Sequence, residues 1–430
     1  HTHTHTHTHT NNTHTQYVDQ INKIVEGLGR HGIYTLLDMH EDVLSSKFCL
    51  YDGAPLWVVN KSKPKHAFPW PFKGNCSSRG WMKNTLTEAA AHAYQDLYDN
   101  HEGMLDDLSD FWSRSASYFK DNPNVIGYEI INEPFAGDFY EDPLLLLPGN
   151  AGRKNLARMY VERSKKNHIP QNSLYHSLEE LQTSHFSKHR YEAVASSIRE
   201  HDDEHIIFYE PVTWGMLFEG KIAGSGFTQV PGGPNYRNRS CFSFHYYCGS
   251  FVSDWEDKPV EQKLICDHVT GPLVMEAVKK DLKTLGGAQM MTEGIACGDN
   301  KTECATVMGM LDDHLFSYTS YADSQGSTFD PDPSMQAAWA RTYARAIAGM
   351  PISMHFDPIS KKFEFCFEID TSITEPTEIF ASLTYSYTSG RNITTSSNLI
   401  VSKSSGDSVQ VVPSDDAKNG DHACVYISKD

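Results

Sequence analysis

Runs of consecutive apolar, largely β-branched residues, each preceded by a stretch of helical periodicity, are what most restrict the fold open to this chain. The clearest run is Val125-Ile-Gly-Tyr-Glu-Ile-Ile131, which ends in Asn132-Glu133-Pro134. A strand apolar on both faces must be covered on both, the condition of a parallel sheet flanked by helices rather than an antiparallel sheet open to water. Similar runs are Ile33–Met39, Ile206–Tyr209, Phe242–Tyr247, Gln289–Glu293 and Leu315–Tyr321. Between them, Tyr17, Ile21, Ile24, Val25 and Leu28 keep helical spacing until Gly29 and Gly32 stop it. Helical pattern returns up to Tyr98, from Met104 to Phe119, through Arg199, around Met275–Leu285 and from Glu303. This alternation predicts an α/β fold, a (β/α)8 TIM barrel. Six strands are legible in these runs, whereas such a barrel closes with about eight. The expectation is therefore an incomplete barrel whose first two β/α units are missing, with an exposed edge at its first strand that favours aggregation.

After Gly349 the pattern switches to period-two alternation, as in Lys362–Glu368 and Ile379–Tyr387, between Ser, Thr and Gly turns. That predicts a C-terminal antiparallel β-sandwich over 351–430, behind a barrel over 16–350. Residues 1–15 open with strict His-Thr alternation, which a CA dinucleotide repeat would encode; this tail is expected to be disordered or artefactual. A formal net charge of -18 lacks the clustered Lys and Arg that a nucleic-acid partner needs. No apolar run approaches the roughly 20 residues of a membrane span. The 9 cysteines include no C-x-x-C pair, which favours disulfides over zinc. Neighbours along the chain suggest Cys49 with Cys76, Cys248 with Cys266, Cys297 with Cys304 and Cys366 with Cys424, leaving Cys241. With sequons at Asn60, Asn75, Asn238, Asn300 and Asn392, they fit an extracellular, lysosomal or endomembrane-lumen setting.

Glu133 and Glu293 each end an apolar run, the position where barrel enzymes carry reactive groups. Splitting an acetal needs one group to protonate the leaving oxygen and a carboxylate to meet the positive charge developing on the sugar, so a pair is meaningful where one Glu is not. Taken alone, Glu133 could instead be a helix-start carboxylate, with Pro134 at the first helical position.

Four motifs then converge. Asn132-Glu133-Pro134 on its strand, Met291-Thr-Glu-Gly294, His245-Tyr-Tyr247 and Asp38-Met-His-Glu-Asp42 resemble family five glycoside hydrolases of the endoglycoceramidase type, from about Tyr17 to Gly349 and on through the sandwich. The resemblance implies Glu133 as acid/base and Glu293 as nucleophile, about 5 to 5.5 Å apart as in a retaining pair. It implies that Asn132 meets the sugar 2-hydroxyl, that Tyr247 holds the nucleophile through its phenol, and that His245 lines the same subsite. Tyr246 should face the opposite side of the strand, as a core residue. His40 and Asp42 look like the family's sugar-binding pair; a metal site competes, but a third ligand at suitable spacing is lacking. Trp57, Trp70, Trp81 and Trp214 fall in loops, Trp81 being a candidate platform for sugar. Tyr321, within Ser317–Tyr321, stands where the family usually has Trp.

The substrate implied is a glycosphingolipid, whose ceramide would lie against Phe135, Phe139, Tyr140 and Leu144–Leu147, with transient contact to a membrane or micelle. Only water is needed besides, with no nucleotide, flavin or metal. The expected activity is a retaining endo-β-glycosidase. The alternatives are an exo-acting β-glucosidase on glucosylceramide or a steryl glucoside, and a non-catalytic glycolipid-binding remnant.

Overall fold

The structure is a computed structural model that describes residues 7–49, 52–147, 149–160, 194–212, 224–247, 264–294, 301–320 and 333–430. The chain divides into two compact units, His1–Phe244 with Ala277–Gln289, and His245–Glu276 with Met290–Asp430.

In the first unit, strands β1 (Thr35–Asp38), β2 (Val125–Glu129), β3 (Ile206–Tyr209) and the start of β4 (Ser240–Tyr246) pair in parallel and in chain order. The apolar run of β2 is covered as its sequence requires. Helix Met104–Phe119 sets Trp112 edge-on against Tyr128, ring centroids 5.8 Å apart, and the indole N–H donates to the Ile130 carbonyl at 2.9 Å. That helix starts where Asn100 accepts from the Leu105 and Asp106 N–H groups at 3.0 and 3.1 Å, occupying donors the first turn leaves open. Gly127 has no substitute here, because a Cβ would stand 2.1 Å from the Ile206 carbonyl of β3. At the entrance to β3, the Tyr128 hydroxyl donates to Asp202 at 2.6 Å and the His205 ring pairs with the same carboxylate at 2.6 Å.

The second unit holds most of β5 (Ala288–Gly294), paired in parallel with β6 (Ser317–Tyr318), and the C-terminal sandwich. The sandwich comprises two antiparallel sheets, in the orders β12-β13-β10-β7 and β11-β14-β9-β8. These strands are β7 (Tyr343–Ala346), β8 (Gly349–Phe356), β9 (Phe363–Ile369), β10 (Thr377–Phe380), β11 (Arg391–Thr395), β12 (Leu399–Ser405), β13 (Ser408–Pro413) and β14 (His422–Lys429). The period-two pattern does its expected work: Phe363, Phe365, Phe367 and Ile369 point into a core with Ile379, Val409, Val411, Val425 and Ile427.

Several boundaries move. The sandwich begins at β7, ahead of residue 351, because Tyr343–Ala346 pairs with β10. The alternation over Ile379–Tyr387 is strand only to Phe380; Ser386 and Tyr387 turn back to donate their N–H groups to the Ser382 carbonyl. The His-Thr tail is not wholly irregular, since the first helix runs His7–Gly29; each residue added to an existing helix gains a hydrogen bond without the cost of nucleation. Residues 1–6 lie outside the described residues. Disulfides Cys49–Cys76 and Cys366–Cys424 form as the spacing suggested, and Cys241 is free and buried. Cys266 is also disulfide-bonded; Cys248 and Cys297 lie outside the described residues, as does the side chain of Cys304. No described helix is long and apolar enough to cross a membrane.

Candidate active site

In the first unit, Glu133 lies four residues beyond β2 rather than on it, and no helix follows. The reading of Glu133 as a helix-start carboxylate therefore fails. Ile130 and Asn132 still bond to the flanking segments, their N–H groups donating to the carbonyls of Phe208 at 3.3 Å and Met39 at 3.1 Å. Glu133 then leaves the extended conformation with φ +38°, in the left-handed region that non-glycine residues avoid. Its N–H donates at 2.7 Å to the carboxylate of Glu210, which is 0% exposed at the end of β3. Asn132 is buried, and its amide donates to the Glu41 carbonyl at 2.8 Å.

The Asp38–Asp42 motif splits between two faces. His40 pairs through Nδ1 with Asp38 at 2.9 Å and reaches Asp42 through Nε2 at 4.0 Å. Glu41 points inward, fully buried, where the Tyr94 hydroxyl and the Leu44 N–H donate to it. Burial pushes the Glu41 carboxyl well above its ordinary value; those hydrogen bonds oppose the shift, and the charges of Glu133 and Asp42 add to it. Asp52 supplies the third ligand that local spacing lacked, because the Ala54 N–H folds back onto the Leu44 carbonyl at 2.6 Å. Donor atoms of His40, Asp42 and Asp52 lie within 4.8 Å of one another, a cluster that suits a cation or the hydroxyls of a sugar.

In the second unit, Glu293 lies within β5. The Tyr247 hydroxyl donates to its Oε1 at 2.8 Å, and His245 Nδ1 stands 4.0 Å from the same oxygen. Tyr246 turns the other way and hydrogen-bonds the Cys266 carbonyl and Thr270 hydroxyl, both at 3.3 Å, as period two requires. Gly294 keeps that approach open, since a Cβ would meet the Tyr246 carbonyl at 2.6 Å.

Residues 1–326 match the family described as Cellulase (glycosyl hydrolase family 5), and residues 341–427 match the Glycoside hydrolase family 5 C-terminal domain. The chain belongs to glycosyl hydrolase family 5. A protein of Cyanea nozakii named Endoglycoceramidase is 33% identical over 413 residues, covering 88% of this chain and 71% of that protein. One of Hydra vulgaris with the same name is 34% identical over 379 residues, covering 82% of this chain and 62% of that protein. Among solved structures, Endo-glycoceramidase II from Rhodococcus sp. in its ganglioside GM3 complex superposes with a TM-score of 0.71 at 18% identity, covering 97% of this chain and 85% of that one. Cryptococcus neoformans sterylglucosidase 1 gives 0.62 at 14% identity, covering 97% and 84%. These likenesses carry the family 5 barrel fold with its C-terminal domain.

Not every aromatic expected in this family 5 site is on a loop. Trp81 is half-buried on the short helix Gly80–Thr85, and Trp57 lies on Leu56–Val59 with the Lys61 ammonium 5.5 Å from its ring. Trp70 stacks on His66 at 4.2 Å. Trp214 and Tyr321 lie outside the described residues. Sequence pattern alone does not assign Glu41, Asp52, Tyr94 or Glu210 to the site. For Glu210 a signal existed: Tyr209-Glu210-Pro211 repeats, after another buried strand, the Glu-Pro step of Glu133-Pro134.

Proposed function

We propose that this chain is a retaining endo-β-glycosidase that separates the oligosaccharide of glycosphingolipids from their ceramide. The hydrogen bond from Tyr247 to Glu293 carries the reading, because a phenol donor fixes the orientation of a carboxylate at a strand end where a nucleophile is needed. The names of the Cyanea and Hydra relatives support the substrate class.

In the first step, Glu293 attacks the anomeric carbon while Glu133 gives its proton to the glycosidic oxygen, so ceramide departs as an alcohol and a glycosyl ester remains. Glu133, now a carboxylate, takes a proton from the water that attacks the same carbon, and Glu293 is released. Asn132 serves the 2-hydroxyl, an interaction that strengthens in the transition state. His40 and Asp42 bind sugar hydroxyls. Leu144, Leu146 and Leu147 are 54, 43 and 45% exposed while Leu145 is buried, so the segment after Glu133 offers an apolar face to ceramide or a lipid surface. The disulfides Cys49–Cys76 and Cys366–Cys424 and the exposed sequon residues Asn60, Asn75, Asn238 and Asn392 support an extracytoplasmic site of action.

Incubation with a ganglioside, followed by mass spectrometry of the products, tests the reading. Intact oligosaccharide plus ceramide is expected. Free glucose from glucosylceramide or a steryl glucoside, with gangliosides untouched, would replace it by exo action, and binding without cleavage would remove catalysis altogether.

A further inference from the structure

We infer that Glu210 is the positioning residue for Glu133: its buried carboxylate accepts the Glu133 backbone N–H and holds that peptide in the left-handed turn from which the side chain works. The inference rests on the assignment of Glu133 as acid/base.

Three observations carry it. Glu133 has φ +38°, a conformation an L residue keeps only when its surroundings fix it. Its N–H is the handle by which the turn is held, since Pro134 has none, and the 2.7 Å contact joins that N–H to a carboxylate, a stronger acceptor than a carbonyl. Glu210 is itself clamped: the Tyr160 hydroxyl donates to its carbonyl at 2.9 Å and accepts from its N–H at 3.3 Å, with both residues fully buried. A carboxylate is costly to place in such surroundings without a specific partner, and the acid/base peptide is one. The effect on chemistry is therefore indirect. Without Glu210 the peptide relaxes toward extended backbone and the Glu133 carboxyl moves off the line to the glycosidic oxygen, where misplacement of about an ångström is felt.

The experiment compares wild type, Glu210→Gln and Glu210→Leu on two substrates, reading kcat/KM, which reports the first bond cleavage. A ganglioside needs its leaving oxygen protonated; 2,4-dinitrophenyl β-lactoside does not, because its phenolate leaves unaided. Glu210→Leu should lose about 100-fold or more on the ganglioside, the scale of general-acid catalysis, and less than about tenfold on the aryl glycoside. Glu210→Gln keeps an acceptor oxygen and should recover most of the difference. Equal losses on both substrates, as general damage to the fold would give, or no loss on either, would overturn the inference. Hydrogen–deuterium exchange at the Glu133 amide decides independently of turnover: it should quicken in Glu210→Leu more than in Glu210→Gln, and unchanged exchange would remove the holding contact. If wild type splits neither substrate, the proposed function fails, while the exchange measurement still answers for Glu210.

Discussion

Glu133 and Glu293 are the same side chain after similar apolar runs, yet the fold holds them by different handles. Glu293 stays inside β5 and is gripped through its own carboxylate by Tyr247. Glu133 has left β2, and its peptide N–H is tied to the buried Glu210. The difference matches the two chemical tasks proposed for them. A nucleophile must present one fixed oxygen to one carbon, so a direct donor on the carboxylate serves it. An acid/base must give a proton in one step and take one in the next, and holding its backbone fixes its place while its protonation changes.

The sharpest way to break this comparison is to neutralise each carboxylate in turn. Glu293→Gln should lower kcat on ganglioside and on 2,4-dinitrophenyl lactoside alike, by about 10⁵-fold, as expected when a nucleophile is removed. Glu133→Gln should cost about 10²- to 10⁴-fold on ganglioside but far less in kcat/KM on the activated substrate. Similar profiles for the two variants would mean that the roles are shared or wrongly divided.

A smaller effect sharpens the Glu293 side of the contrast. Tyr247→Phe removes one hydrogen-bond donor from Glu293, the proposed nucleophile, and should slow both substrates by about 100-fold. A loss confined to the ganglioside would move Tyr247 to the acid/base side of the reaction.

The smallest effect on chemistry, and the one read as stability, concerns the scaffold under Glu133. The Asp202 carboxyl would be pushed up by burial, but hydrogen bonds from His205 and Tyr128 hold it down to about 2, while the pairing with Asp202 raises the His205 ring. Asp202 therefore adds stability above its ordinary 3.8, which is lost as pH falls through about 2. His205 adds stability below its ordinary 6.5, which is lost as pH rises through its higher folded value. Asp202→Asn should cost about 3 kcal/mol in denaturant unfolding near pH 5.5. The gap from wild type should narrow toward alkaline pH; a gap independent of pH would show that the His205 charge contributes nothing.

Local pattern revealed what local physics controls. Strands β2, β3 and β4 were legible because burial on both faces selects apolar runs, and the sandwich because one buried face selects alternation, as Phe363, Phe365 and Phe367 show. Tyr246 and Tyr247 parted to opposite sides for the same reason. The position of Glu133 was not legible, since its apolar run continues past the end of β2 at Glu129. Asp52 was equally hidden; it meets His40 and Asp42 only after the chain folds back at Ala54.

By itself the sequence determined the parallel strands, the C-terminal sandwich, the disulfides Cys49–Cys76 and Cys366–Cys424, and the two glutamates on which the chemistry is proposed to turn. These follow from periodicity, residue type and short spacings, which act within a few residues. Only the tertiary structure decided how those glutamates are held. Glu210 reaches Glu133 from 77 positions away in the chain, and Tyr247 reaches Glu293 from 46. A hydrogen bond depends on distance in space, and no local pattern records which remote carboxylate or phenol the folded backbone will deliver.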